Sequence, residues 1–387
     1  MKLQKKLQKL MRVSRRAIEK EELCAVTKDK RSYEVIIIGG GPAGIATSLT
    51  LTMRGISNCI VEAKHLPQKK TGEAIPPNAK PLLKKLGIYE LVEDNKHCIY
   101  YGNKSSWGSE KLEQKAFIKD VYGHGFLLDR LHFEKQLRSH LINNGGDFLA
   151  GYRLKKAELL EKGVTAIIEN ETSSISLRGN YIVDATGRKA SVCQQLGVKK
   201  KFLDAQFTLT SSVHLSQEIA REIVIEATSN GWWYAAPQSN KELTLMFFTI
   251  KSLIPDKANL TQFWTKELEN SLHISKLVNL EKNDFGPLKI MPSGTSRLEV
   301  PYGESWIAVG DAAYSFDPIS SFGITSALAS GMYGGHALAS AIEGKEEAML
   351  TYRYLMEKAY QGYAEKLVGH YGLERRWRDE LYWSIQS

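Results

Sequence analysis

Two hydrophobic textures divide the chain. In residues 33–63 the apolar positions form unbroken blocks, VIII and CIV, on either side of a glycine turn and a helical stretch rich in Ala, Thr and Leu. From about 200 to 290 apolar and polar positions alternate, in FTLTSSVHL, REIVIEAT, GWWYAAPQ and ELTLMFFTI. Four consecutive β-branched residues at 35–38 predict a strand buried on both faces, the environment of a helix-covered parallel sheet. Alternation predicts antiparallel strands forming a separate layer.

The turn after the first strand carries Gly39, Gly41 and Gly44 in the pattern GxGxxG. The first glycine permits the tight turn, the second lets backbone approach a pyrophosphate, and the third lets helix pack close to strand. Pro42 and Ala43 open the helix, whose N-terminal N–H groups and dipole favour phosphate charge. Glu62 ends the second strand, where a carboxylate can accept hydrogen bonds from a ribose diol. An acidic residue there disfavours a 2′-phosphate, so the ligand reads as FAD or NAD rather than NADP.

Further along, Pro76, Pro77 and Pro81 lead a helix bearing Leu82, Leu83 and Leu86, and Gly72 and Glu73 sit in the loop before it. That pair either lines a flavin ring or makes a turn. Residues 99–109 read as a strand and hairpin leading towards a substrate site, with Tyr100, Tyr101 and Trp107 as packing residues. An amphipathic helix follows, with Leu131, Leu137 and Leu141 inward and Gly145 and Gly146 at its end. Arg130 at its start either bonds a pyrophosphate or flavin edge, or pairs with a surface acid. In NYIVDATGR, Asp184 and Gly187 after an apolar strand fit a second cofactor contact. A strand at 306–309 leads to Asp311, and 324–342 is a helix of Ala, Gly and Ser able to press closely on its neighbours. Tyr352, Tyr360, Tyr363 and Tyr371 on the last helices read as packing.

Charge changes the picture at one end only. The net charge is +9, and residues 1–31 hold 11 Lys+Arg against 4 Asp+Glu, which leaves the other 356 residues nearly neutral. Leu3, Leu7, Leu10, Met11 and Ile18 fall near one face of a basic helix there. It is read as a solvated helix packed on the body, or one docking on an acidic partner, ahead of a membrane surface. No nucleic-acid motif accompanies the charge. Cys24, Cys59, Cys98 and Cys193 are scattered, with no CxxC and no His cluster, so neither a disulfide framework nor a metal site is predicted. A reducing cytoplasm is the simplest location. No apolar run nears the roughly 20 residues of a membrane span, and no signal-peptide core is seen.

Three motifs stand in fixed order: GGGPAG with Glu62, DATGR at 184–188, and VGDAAYSFDPISSFGITSAL at 309–328. Together they resemble the FAD-dependent aromatic hydroxylases of the p-hydroxybenzoate hydroxylase fold, with their halogenase and geranylgeranyl reductase relatives. The resemblance implies an α/β fold: a Rossmann-like FAD-binding domain interleaved with an antiparallel-sheet substrate domain, then C-terminal helices. The corresponding boundaries are a basic extension at 1–31 and FAD-binding segments at 32–199 and 290–345. The substrate domain spans 200–289, with 72–110 contributing to its site, and the terminal helices 346–387. It further implies that Gly39, Gly41, Ala43 and Gly44 hold the FAD pyrophosphate and Glu62 the adenosine ribose. Arg130, with Phe133 and Glu134, matches the R-x-x-F-[DE] element that contacts FAD. Asp311 is expected on the ribityl chain or pyrophosphate, and Ser320, Gly323 and Ile324 beside the isoalloxazine. The flavin does the oxygen chemistry while the protein supplies position and dryness. With no second Rossmann turn, NADH binds transiently or a separate flavin reductase supplies electrons.

The branch is read from departures. Halogenases carry W-x-W-x-I-P; GWWYAAP keeps Trp232 and Pro237 but has Tyr234 and Ala236 instead of the second Trp and the Ile. Ser320 stands where tryptophan halogenases place a catalytic Glu, and Lys104 lies near the place of their halide-activating lysine. Tyr314 replaces a histidine common in the last motif. GEAIPPNAK, SSWG, GWWYAAP and GDAAYSFDPISSFGI look most like the flavoproteins that mature tryptophylquinone enzymes. That implies hydroxylation of a protein-bound tryptophan toward cysteine tryptophylquinone, with the precursor of an oxidase or dehydrogenase as protein substrate. Rival readings are a small-molecule hydroxylase or halogenase, a geranylgeranyl-type reductase, and a flavin protein without turnover. An acid or base assisting the ring is sought in Glu73, Lys104 or the tyrosine of the 232–234 run.

Overall fold

The strand Ser32–Ile38 is the centre of a parallel stack. In the computed structural model, which describes residues 32–386 except 69, 73, 240, 281 and 346, it pairs with Asn58–Glu62 on one side and Ser174–Asp184 on the other. Asp147–Ala150 and Trp306–Ala308 continue the parallel sheet outward. Val35, Ile36 and Ile37 are fully buried, as an unbroken β-branched run requires when helices cover both faces. The chain leaves the central strand to one side and returns on the other. The carboxyl ends of Ser32–Ile38 and Ser174–Asp184 therefore open a crevice at the switch of strand order. The N-terminal extension at 1–31 lies outside the described residues.

The helix Pro42–Met53 runs from that crevice and packs on the Ala/Gly/Ser helix Gly323–Ile342 at backbone distance. A Cβ on Gly331 would lie 2.2 Å from the Ala43 carbonyl oxygen, and one on Gly335 2.8 Å from Thr50 Cβ. Thr47 Oγ1 donates to the carbonyls of Ala43 at 2.9 Å and Gly331 at 3.1 Å. The small residues thus fix how near the two helices that flank the crevice can stand.

A second sheet has seven strands in the order Lys289–Pro292, Gln206–His214, Glu242–Ile250, Gly231–Ser239, Ile223–Thr228, Gly102–Ser106 and Glu113–Ala116. All neighbours are antiparallel except Ile223–Thr228 with Gly102–Ser106. The strand through 231–237 is buried at every position, more than alternation alone predicts. The reason is cover on both faces. Trp233, Ala235 and Phe247 pack on the helix Leu260–Glu269 through Trp264 and Leu268. Trp232, Tyr234 and Phe248 face the other way, towards Leu367, Tyr371, Tyr382 and Trp383 of the C-terminal helices. Burying a Phe side chain fully is worth roughly 1.5–3 kcal/mol, so the stacked pair Trp232–Phe248, 3.9 Å between centroids, anchors this face.

The helices Glu347–Tyr371 and Leu381–Gln386 close the structure. Trp107 Nε1 donates to the His370 carbonyl at 2.9 Å, and Trp383 Nε1 to the Thr228 carbonyl at 2.8 Å. Among the described residues no helix is long and apolar enough to cross a membrane.

Candidate active site

Each glycine of the turn has its own reason. Gly39 adopts φ of +110°, and a Cβ there would lie 2.2 Å from the Ala185 carbonyl oxygen of the neighbouring strand end. A Cβ on Gly44 would lie 2.0 Å from the Gly39 carbonyl oxygen, so helix and turn touch. Gly41 is different: nothing lies within 4 Å of a Cβ placed there. It faces a cavity of about 720 Å³ that runs from the glycine turn to the second sheet, within the roughly 300–1,000 Å³ of cofactor and ligand sites. A side chain on Gly41 would enter the space a pyrophosphate needs at the helix N-terminus.

Glu62 lines the same cavity with its carboxylate fixed. Oε2 accepts the Gly40 N–H at 2.8 Å and Oε1 the Lys64 N–H at 2.9 Å, leaving lone pairs for a ribose. Arg130 is buried at the start of the helix Arg130–Asn143, behind the N-cap Asp129. One Nη donates to the Gly72 carbonyl at 2.6 Å, the other to Glu134 Oε1 at 2.6 Å, and Glu134 in turn holds Lys70 at 2.8 Å. Arg130 therefore pairs with a buried acid of its own helix, not a surface one, and also lines the cavity. Its Nε is buried with no hydrogen-bond partner, an orphan donor at the wall of a site for an anionic ligand.

Asp311 also lines the cavity, with Arg188 Nε 3.5 Å away. Burial raises its carboxyl above the ordinary range, opposed by the charges of Arg188, Lys200 and Arg130. Gly323 and Ile324 reach the cavity at the start of their helix, which has no side-chain cap on its first N–H groups. Ser320 is absent from the wall: its Oγ donates to the Asp317 carbonyl at 2.8 Å. Its neighbour Ser321 lines the wall instead, at φ of +53°, a conformation few residues without glycine's freedom adopt.

Other expectations land elsewhere. Asp184 is fully buried and turned away from the cavity, accepting from Thr186 N at 3.0 Å, Thr186 Oγ1 at 2.7 Å and Cys193 N at 2.9 Å. It shapes the turn, while Thr186, Gly187 and Arg188 supply the wall. Lys104 does not line the cavity; its ammonium stands 2.5 Å from Glu222 Oε2 on the second sheet. Glu73 lies outside the described residues, between the cavity-lining Gly72 and Ala74. Tyr234 does line the cavity.

The sheet end of the cavity is mostly apolar, walled by Tyr234, Met246, Phe248, Met291 and Phe316, with Lys289 and Asp317 also in its wall. Two further hydroxyls lie in this wall. Among the described residues, Thr208 Oγ1 and Ser293 Oγ are buried there without a hydrogen-bond partner. Sequence reasoning did not find them, and alternation gives only the side of the strand. It also missed Arg188, which joins Asp311 to the Phe316 carbonyl at 3.0 Å, although the arginine ends a quoted motif. The tyrosines read as packing carry polar roles too. Tyr371 Oη donates to Asp317 Oδ2 at 2.8 Å, and Tyr363 Oη accepts the Asp317 N–H at 2.6 Å.

A parallel-sheet switch point, a glycine turn and a cavity running to a second sheet accompany the similarity to FAD-dependent oxidoreductases of the monooxygenase and halogenase type. The chain belongs to the FAD binding domain family, whose pattern it matches over residues 32–363. It is 28% identical over 359 residues to LodB of Marinomonas mediterranea, described as an FAD-dependent oxidoreductase, covering 91% of this chain and 96% of that one. The myxobacterial chondrochloren halogenase CndH is similar in structure, with a TM-score of 0.84 at 19% identity over 92% of this chain and 86% of that one. So is QhpG, a peptidyl tryptophan dihydroxylase essential for tryptophylquinone cofactor biogenesis. Its TM-score is 0.75 at 20% identity, covering 92% of this chain and 78% of that one.

Proposed function

We propose that this chain is an FAD-dependent monooxygenase that hydroxylates a tryptophan held in a partner protein, the precursor of a cysteine tryptophylquinone oxidase or dehydrogenase. The observation that carries this reading is the sheet end of the cavity. It offers apolar walls for a flat ring, with two unpartnered hydroxyls on Thr208 and Ser293. A buried hydroxyl without a partner costs about 1–3 kcal/mol, so the site favours a ring bearing a polar hydrogen, as an indole N–H does. The similarity to QhpG supports the same substrate class.

FAD, when bound and reduced by NADH or a separate flavin reductase, supplies the activation of O2. The chain's own residues do the rest. The open backbone at Gly41 and the N-terminus of Pro42–Met53 receive the pyrophosphate, and Glu62 takes the ribose. Arg130 Nε offers its orphan N–H to the anionic part, and Asp311 accepts from hydroxyls of the chain that links it to the ring. Tyr234, Met246 and Phe248 keep water from the reacting end.

Insertion of oxygen is favoured over halogen by two placements. Lys104, near the place of a halide-activating lysine, is committed to Glu222, and Ser320, at the place of a catalytic Glu, bonds backbone. The halogenase reading is favoured by the similarity to CndH and to several other halogenases. The deciding experiment compares host cells with and without the functional protein by mass spectrometry of tryptophan-containing peptides. Oxygen on one tryptophan of one protein, present only with the active flavoprotein, supports the proposal. A bromide-dependent mass gain on a free indole or pyrrole, with no oxidised peptide, replaces it by the halogenase reading.

A further inference from the structure

Asp317 begins the turn Pro318–Ser320 that leads into the cavity-facing helix, and it is buried in the cavity wall. Its Oδ1 accepts the Ile319 N–H at 2.8 Å. Its Oδ2 accepts the Tyr371 hydroxyl at 2.8 Å and Gln206 Nε2 at 3.2 Å. Behind them Tyr382 Oη donates to Gln206 Oε1 at 2.5 Å, and Trp232 Nε1 donates to Tyr371 Oη at 3.1 Å. Three parts of the chain remote in sequence thus converge on one carboxyl.

The charged and titratable groups facing it come from every packed element. Asp204 repels its charge from the loop before Gln206–His214. Tyr363 and Tyr371 face it from Glu347–Tyr371, and Tyr382 from the last helix. Arg188 reaches the adjacent Phe316 carbonyl but makes its ion pair with Asp311. An ionised Asp317 is therefore held by neutral donors. Burial, with Asp204, pushes its carboxyl up to about 7, while the three donors pull the other way.

We propose that Asp317 is the proton-holding residue at the sheet end of the cavity, and that Tyr371 sets when it releases its proton. The assignment rests on the oxygen-insertion reading. Inserting one atom of O2 into a ring C–H bond and releasing the other as water takes two electrons and two protons. The external reductant supplies both electrons and one proton, as a hydride equivalent. The second proton leaves the Asp317 carboxyl, whose new charge is held by the donors from Tyr371, Gln206 and Ile319, and solvent re-protonates the carboxylate before the next turnover.

The test is infrared difference spectroscopy of the FAD-loaded protein without substrate, taken across pH, on wild type, Asp317→Asn and Tyr371→Phe. A protonated-carboxyl band that disappears as pH rises through neutrality, and is absent from Asp317→Asn, is the expected result. Tyr371→Phe removes a donor to the ionised form, so the midpoint moves up by about one pH unit, a tenfold gain in proton affinity. A band unchanged in Asp317→Asn, or a midpoint unmoved by Tyr371→Phe, overturns the assignment. Should Asp317→Asn fail to fold, Tyr371→Phe, which keeps the ring packing, decides alone. Because no substrate is present, absence of tryptophan oxidation with this titration intact counts against the reaction and not against the proton-holding residue.

Discussion

The two ends of the cavity are built by different rules. At the glycine end the core of the site is local: Gly39, Gly41, Gly44 and Glu62 span only the first βαβ unit, joined from further off by Ala185 and Arg130. At the sheet end Asp317 meets Tyr371 across 54 residues and Gln206 across 111. The first end is a local geometry, and the second is a tertiary assembly. Substitutions should therefore fail in different ways at the two ends.

The largest expected effect is at Gly44. A valine there would overlap the Gly39 carbonyl, from which even a Cβ stands 2.0 Å, so the strand and helix must separate. The loss should meet or exceed the roughly 3 kcal/mol usual for overpacking, and folded protein and bound flavin should vanish together. Gly41→Val separates the two. With open space around its Cβ, the unliganded protein should unfold within about 1 kcal/mol of wild type, while FAD affinity falls by about a hundredfold or more. Thermal unfolding and flavin fluorescence on both variants check this. Equal loss of fold in the two would break the distinction between a packing glycine and a ligand glycine.

The sheet end should answer to pH. The Asp317 carboxyl is raised from 3.8 to about 7 in the folded protein. The folded state thus holds this proton longer than the unfolded chain does. The stabilisation is full below the unfolded value and is lost as pH rises through about 7, in total on the order of 4 kcal/mol. Wild type should lose stability between about pH 4 and pH 7 more steeply than Asp317→Asn. Parallel slopes in chemical denaturation would show that the carboxyl titrates normally and that the sheet end lacks this proton.

What was legible in the sequence follows the same division. The glycines and the Ala/Gly/Ser helix were readable because a tight turn and a close helix contact each demand particular residue types at fixed local spacing. Arg130 was half readable, since its partner Glu134 is one helical turn away while its orphan Nε shows only against the cavity. Asp184 was read on the wrong side of its strand end because DATGR does not say which side chain turns inward. Tyr371 was read as packing, and its ring does pack, but the acceptor of its hydroxyl arrives from another motif. Thr208 and Ser293 carry no local mark, since an orphan hydroxyl is defined by what fails to surround it.

A smaller effect sharpens the glycine end. Glu62→Gln keeps the side-chain length and an acceptor for the Gly40 N–H but removes the charge that strengthens both that bond and the ribose contact. FAD affinity should fall about tenfold with unfolding little changed, measured by titrating flavin fluorescence. An unchanged affinity would mean that the ribose binds elsewhere in the cavity.

The smallest effect is expected where family position and structure part company. Lys104 sits on the second sheet, part-exposed, paired to Glu222 and outside the cavity wall. An ion pair of this kind contributes at most about 1 kcal/mol, and its loss should not reach the reacting end. Lys104→Ala should bind FAD normally and give the wild-type yield of oxidised tryptophan in the host-cell comparison. A yield that collapsed with FAD still bound would place an ammonium in the chemistry after all. The boundary between the two ends would then have to be redrawn to bring the strand Gly102–Ser106 into the site.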